Sequence, residues 1–250
     1  MGNSQGTMVS EEERRRNIKQ MDQQMNLRFG RTSKHKLNIV VRGERGTGKT
    51  MLTKLLTGGV FDLKYTPSKA GETERFCVPW AAGAGEDVDL TLTAYTDTEK
   101  KRDNESATSL KIAHEEKNKF SSKASKQKQN EDAKIYETCN GVIVMVNPSK
   151  EWTFSYAKDI LEGIPESIEV LVLANFRDCL EQWVTSRAAM LEHVAGCGRH
   201  VHYCDCCLAN MFGMPAVEAF LRLCLLAIKM EEFSRQVEAG EGDVGAALAE

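Results

Sequence analysis

Proline and aromatic residues are scarce in this chain of 250 residues, with five prolines and aromatics at 7%. Each interior proline would break a helix or a central strand, so their scarcity leaves room for uninterrupted elements. Charge of one sign is also missing. The formal net charge is −3 and the isoelectric point is near 6.0, so no basic footprint argues for a nucleic-acid partner. Long apolar runs are absent. The most apolar stretch, around 221–228, falls far short of the roughly 20 residues a membrane-spanning helix needs, and integral membrane association is not expected. There is no basic start followed by an apolar, cleavable segment of the secretory kind. Eight cysteines without such a signal read as reduced thiols of a cytoplasmic protein. What is present is 41% hydrophobic and 28% charged residues, a balance that suits a soluble domain with a sizeable core.

Residues 1–9 read as an unstructured start. Gly2 follows Met1, but Gly6 stands where the myristoylation pattern wants serine or threonine. The match is partial, and the readings are a plain disordered terminus or weak peripheral membrane contact through an acylated Gly2. Ser10 and Glu13 make a capping-box pattern for a charged helix to about Phe29, so 10–36 is expected as an N-terminal helical extension. Residues 37–237 read as one α/β domain. Strands are expected at 37–41, 74–80, 88–95, 141–147, 168–174 and 201–206, and helices at 51–56, 152–161, 178–194 and 215–237. The runs at 141–147 and 168–174 are apolar throughout, as strands buried on both faces are. Alternation of strand and helix predicts a mostly parallel, doubly wound sheet with helices on both faces. The stretch 98–134 holds ten Lys/Arg and seven Asp/Glu with few large apolar side chains, and is expected to be a charged, mobile insertion. Residues 238–250 read as an acidic tail.

The chemistry is carried by Arg42-Gly43-Glu44-Arg45-Gly46-Thr47-Gly48-Lys49-Thr50. Gly43, Gly48, Lys49 and Thr50 complete the P-loop spacing, with a strand before and a helix after it. In that setting backbone N–H groups of the loop and of the helix start point at a phosphate chain. Lys49 is expected to neutralise β- and γ-phosphates, and Thr50 to place its hydroxyl on Mg²⁺. The phosphate-contacting set is Gly43, Arg45, Gly46, Thr47, Gly48, Lys49, Thr50 and Met51. Farther on, Asn175-Phe176-Arg177-Asp178 follows a buried strand at its carboxyl end, where doubly wound sheets place ligands. A carboxylate at Asp178 accepts from both the N1–H and the N2 amino group of guanine, donors adenine does not offer in that pattern. Asp178 would serve equally well as a cap for the helix that follows.

With these residues in view, the chain resembles the Rab-like protein 6 family of atypical Ras-superfamily GTPases over 21–237, apart from 98–134. The likeness is carried by the P-loop stretch, by Cys139-Asn140-Gly141-Val142 through Trp152-Thr153-Phe154, by Asn175-Phe176-Arg177-Asp178, and by the segment 21–29. The resemblance implies a Ras-like P-loop NTPase fold, GTP and GDP as ligands, Mg²⁺ as cofactor, and effector or regulatory proteins as partners. It puts Ser68 where the first switch has a residue sensing Mg²⁺ and the γ-phosphate. Asn175 and Asp178 would read the base, and Cys206 and Cys207 would stand in the last base-contacting loop. The departures are informative. Tyr95-Thr96-Asp97-Thr98-Glu99 replaces the Asp-x-x-Gly turn, leaving Asp97 as a candidate to hold a Mg²⁺-bound water. No glutamine is placed to orient an attacking water, and Arg45 fills a position that is small in efficient hydrolases. Phe176 replaces the lysine that packs beside the base, so Phe176 or Arg177 would cover the base face. These losses predict nucleotide binding with slow hydrolysis.

Three alternatives stand beside that reading. A scaffold without catalysis would bind protein partners through 98–134. An ATP-using enzyme would need a base site and catalytic acid that the sequence does not show. Zinc could use Cys197, His200, His202, Cys204, Cys206 and Cys207, although cysteines alternating along a core strand account for that pattern more simply. Ala247-Leu248-Ala249-Glu250 carries no prenylatable cysteine, so anchoring by that route is not expected. Leu221, Leu225, Ile228 and Phe233 are expected to face the core from the last helix.

Overall fold

The computed structural model of the protein describes residues 35–64, 68, 73–83, 86–96 and 134–247. Gly2, nearly all of the helical extension at 10–36, Asp97 and all but the end of the 98–134 insertion lie outside the described residues.

Six strands form one sheet in the order β2-β3-β1-β4-β5-β6. They are β1 (His35–Gly43), β2 (Thr73–Gly83), β3 (Glu86–Tyr95), β4 (Gly141–Val146), β5 (Glu169–Ala174) and β6 (His202–Asp205). Every pairing is parallel except β2 with β3. All six residues of β4 are buried, as are the last five of β5, because helices cover both faces of the sheet centre. Strand β2 lies at the edge, and its side chains alternate between exposed and half-buried from Thr73 to Ala82. This is the Ras-like P-loop NTPase arrangement expected from the sequence.

Among the described residues, four α-helices flank the sheet: α1 (Lys49–Leu56), α2 (Glu151–Gly163), α3 (Arg187–Ala195) and α4 (Met214–Ala247). On one face, Leu52 of α1 and Val217, Leu221 and Leu225 of α4 pack on Leu37, Ile39, Val41, Leu90 and Ile143. On the other, Phe154, Ala157 and Leu161 of α2 and Met190 and Val194 of α3 pack on Val142, Val144, Val170 and Val172. Period-two alternation along β1 and β4 therefore splits their side chains between two cores.

Arg42 at the end of β1 is buried, and its Nη1 donates to the Tyr136 hydroxyl at 2.9 Å. Hydrogen bonds to a charged group are strong where water cannot replace them. Tyr136→Phe is expected to lower stability by about 1.5–3 kcal/mol, measured as a fall in the urea midpoint at unchanged slope. An unchanged midpoint would show that Arg42 does not depend on this hydroxyl.

Three differences from the sequence reading have local causes. The helix expected over 178–194 is two pieces, a 3₁₀ turn (Arg177–Gln182) and α3. Between them the N–H groups of Val184 and Thr185 both donate to the Pro148 carbonyl at 3.0 Å, and Ser186 caps α3 by accepting from the Ala189 N–H. These bonds divert the backbone from a continuous helical ladder. Helix α4 continues to Ala247, through most of the segment read as a tail. Its core-facing stripe ends near Ile228, and Phe233, expected in the core, is 67% exposed.

Candidate nucleotide-binding site

Strand β1 ends at Gly43, whose φ of +150° and contact with β4 both require glycine. A Cβ there would lie 2.5 Å from the Met145 carbonyl oxygen. The loop turns through Gly46 (φ +75°) and reaches Gly48 (φ +105°), which is the N-cap of α1. A Cβ on Gly48 would lie 2.7 Å from the Asn175 amide nitrogen. The glycines thus let this loop pass against β4 and against the loop after β5, as backbone cradles for phosphates demand. The Thr47 hydroxyl donates to the Glu44 carbonyl at 2.8 Å and locks the turn. The Lys49 ammonium is buried and lies across the loop, donating to the Gly43 carbonyl at 2.8 Å and the Glu44 carbonyl at 3.1 Å. No acidic residue occupies the first turn of α1, so the positive end of the helix faces the loop without a competing carboxylate.

Beside the loop opens a cleft of about 530 Å³, a volume typical of small-molecule sites. Its walls bring together Arg45, Gly46, Gly48, Lys49, Thr50 and Met51 of the phosphate loop, Ser68, and Asn175 and Asp178 from beyond β5. Cys207 and Phe176 line it as well. These residues come from segments more than 100 positions apart in the chain. Gly43, Thr47, Arg177 and Cys206 are not among the described residues lining it. The first two build the loop from behind, Cys206 is buried in the core, and Arg177 stacks its guanidinium 4.1 Å from the centre of the Phe212 ring. Of the two residues expected over the base face, Phe176 is the one at the cleft.

Thr50 and Ser68, two of the three candidates for Mg²⁺, place their hydroxyl oxygens 3.1 Å apart. Neighbouring oxygen donors at the mouth of a phosphate loop suit a hard cation that takes its other ligands from phosphates and water. Asp97 lies outside the described residues, while its neighbour Thr96 lines the cleft.

The two residues expected to read the base are held differently. Asn175 is buried; its amide donates to the Thr47 carbonyl at 3.0 Å and its carbonyl oxygen accepts from the Leu208 N–H at 3.3 Å. One side chain therefore ties the phosphate loop to the loop after β6. Asp178 is exposed to the cleft, and the Cys207 thiol donates to its Oδ1 at 3.2 Å. This bond fixes the rotamer of the Asp178 carboxylate. Burial pushes the adjoining Cys206 thiol far above its ordinary pKa.

Sequence reasoning missed Lys54 and Lys64, both at the cleft. With Arg45 and Lys49 they set four cations against Asp62 and Asp178, an excess that favours a polyphosphate. No motif marks them, because Lys54 sits one helical turn past the P-loop and Lys64 on the connection to β2. The zinc alternative does not assemble as expected. Among the described residues, the cysteines of 197–207 do not gather into a ligand cluster, whereas Glu169, His200 and His202 do.

No protein-family model matches the chain. Over 238 residues it is 27% identical to "Rab-like protein 6" of Homo sapiens and 28% identical to that of Bos taurus. Those alignments cover 93% of this chain and 32% and 33% of the relatives. The likeness is to the Rab-like protein 6 family. It agrees with the resemblance read from the P-loop and the Asn-x-x-Asp segment, and with the Ras-like sheet order. The chain spans about a third of the length of the curated relatives it matches. Among the described residues, no helix is long and apolar enough to cross a membrane.

Proposed function

We propose that the chain binds GTP and GDP with Mg²⁺ and acts as a Rab-like molecular switch that hydrolyses GTP slowly. The observation that carries this reading is the single cleft in which Lys49, Thr50, Ser68 and Asp178 meet. Lys49 and the first-turn N–H groups of α1 would hold the β- and γ-phosphates. Asp178, held by Cys207, would accept from the guanine edge while Phe176 covers the ring. Bound Mg²⁺ would neutralise phosphate charge, held by Thr50 and, in the GTP form, by Ser68. Ser68 would then couple the connection between α1 and β2 to the γ-phosphate, which is the physical basis of a switch.

Slow hydrolysis follows from what the cleft offers. Among the described residues lining it there is neither glutamine nor glutamate to orient a water, and Arg45 occupies space that a stimulating arginine would need. A Ras-type site with its glutamine but no activator already turns over at only on the order of 10⁻⁴ per second.

The test is displacement of a fluorescent GTP analogue from purified protein by GTP, GDP or ATP, with and without Mg²⁺. GTP and GDP are expected to compete and ATP not to, with tighter binding when Mg²⁺ is present. Equal competition by ATP would remove the guanine assignment, and absence of any binding would remove the nucleotide reading altogether.

A further inference from the structure

A second cluster of ligating side chains lies at the opposite end of the sheet from the cleft. The parallel register of β5 and β6 pairs Leu171 with His202 and Ala174 with Asp205. The same register sets Glu169, the first residue of β5, beside His200, just ahead of β6. Side-chain period two then puts Glu169, His200 and His202 on one face of the sheet. One ligand atom from each of the three falls within 4.8 Å of the others. The cleft is built at the carboxyl ends of the strands, so this cluster at the amino ends shares no residue with it.

We propose that Glu169, His200 and His202 form a binding site for a divalent transition metal of the zinc class, completed by water.

The chemistry of the donor set fits. Two imidazoles and one carboxylate are borderline ligands that zinc accepts with an open fourth position, whereas Mg²⁺ prefers oxygen alone. The spacing fits as well. His202 Nε2 stands 3.6 Å from Glu169 Oε2, close to the edge of about 3.3 Å in a tetrahedron with metal–ligand bonds of about 2.0–2.1 Å. A simple ion pair accounts for the arrangement less well. At 3.6 Å the two atoms are beyond hydrogen-bond reach, and His202 Nε2 is sealed from solvent with no hydrogen-bond partner. A buried nitrogen left in that condition is costly, and a metal bridging to Glu169 would satisfy it. The His200 and His202 rings meet edge to face with centroids 4.3 Å apart, and His200 is exposed, which leaves a route for the ion and room for water. The Phe220 ring of α4 stands 6.0 Å from that of His202 and walls the inner side.

Such a metal would be structural. Strand β6 is four residues long and at the sheet edge, and a metal held by Glu169 and both histidines would clamp it to β5.

The experiment uses untagged protein stripped with chelator and titrated with zinc against a chromogenic chelator. The expected result is one zinc per chain, and a melting temperature raised by about 5 °C in excess zinc. His200→Ala and Glu169→Gln should each lose stoichiometric zinc and the thermal shift while keeping the circular dichroism of the native fold. Cys197→Ser and Cys204→Ser should keep both. The cobalt form should show tetrahedral absorption without a thiolate charge-transfer band. Absence of stoichiometric zinc in the folded native protein would overturn the proposal. So would zinc retained in His200→Ala and lost in a cysteine variant, or a thiolate band in the cobalt spectrum.

Discussion

Lys49→Ala is expected to reduce affinity for GTP by roughly 10²- to 10⁴-fold, measured by displacement of a fluorescent GTP analogue. The ammonium is buried beneath the cleft and donates to two carbonyls of the loop itself, those of Gly43 and Glu44. Two charge-assisted bonds to phosphate oxygens would each contribute about 1.5–3 kcal/mol. Alanine removes both and leaves the loop carbonyls without this donor, so a modest loss of stability should accompany the loss of binding. A melting curve separates the two effects. A folded variant that binds GTP as tightly as the native protein would exclude the phosphate role of this loop.

Asp178→Asn is expected to change which base is preferred rather than whether phosphate is held. The carboxylate offers acceptors to both guanine donors, whereas asparagine offers one acceptor and one donor. GTP should weaken by about 2–4 kcal/mol, or roughly 30- to 1000-fold, through one lost bond and one opposed pair of donors. Xanthine carries a carbonyl where guanine carries its amino group, so XTP should gain in the same variant. The Cys207 thiol can still donate to the remaining oxygen at this position, which keeps the amide oriented. Unaltered preference for GTP over ATP and XTP would mean that Asp178, inside the first turn of the 3₁₀ segment, does not read the base.

How each site residue acts was legible to different depths. The P-loop was plain in the sequence because its function is local: strand, glycine turn and helix start are contiguous, and the spacing alone fixes where the backbone donors point. Asn175 was legible as a site residue, but the contacts that hold it were not. Its side chain faces the Thr47 carbonyl and the Leu208 N–H, partners 128 and 33 positions away that no pattern in the sequence links. The part played by Cys207 was hidden for the same reason, since its bond to Asp178 joins two loops separated by α3 and β6. Phe233 shows the opposite error. Its spacing continues the apolar stripe of α4, but spacing cannot say where the sheet beneath that helix ends.

What the sequence determined by itself was therefore the order and type of the elements, the P-loop and the family likeness, because apolar periodicity and contiguous motifs are properties of neighbours along the chain. Only the tertiary structure decided that Thr50 meets Ser68, that Arg177 turns away to Phe212 while Phe176 stays at the cleft, and that His200 and His202 look toward Glu169 rather than toward the cysteines. Those pairings depend on the register of parallel strands joined through helices, and register is set by packing both cores at once.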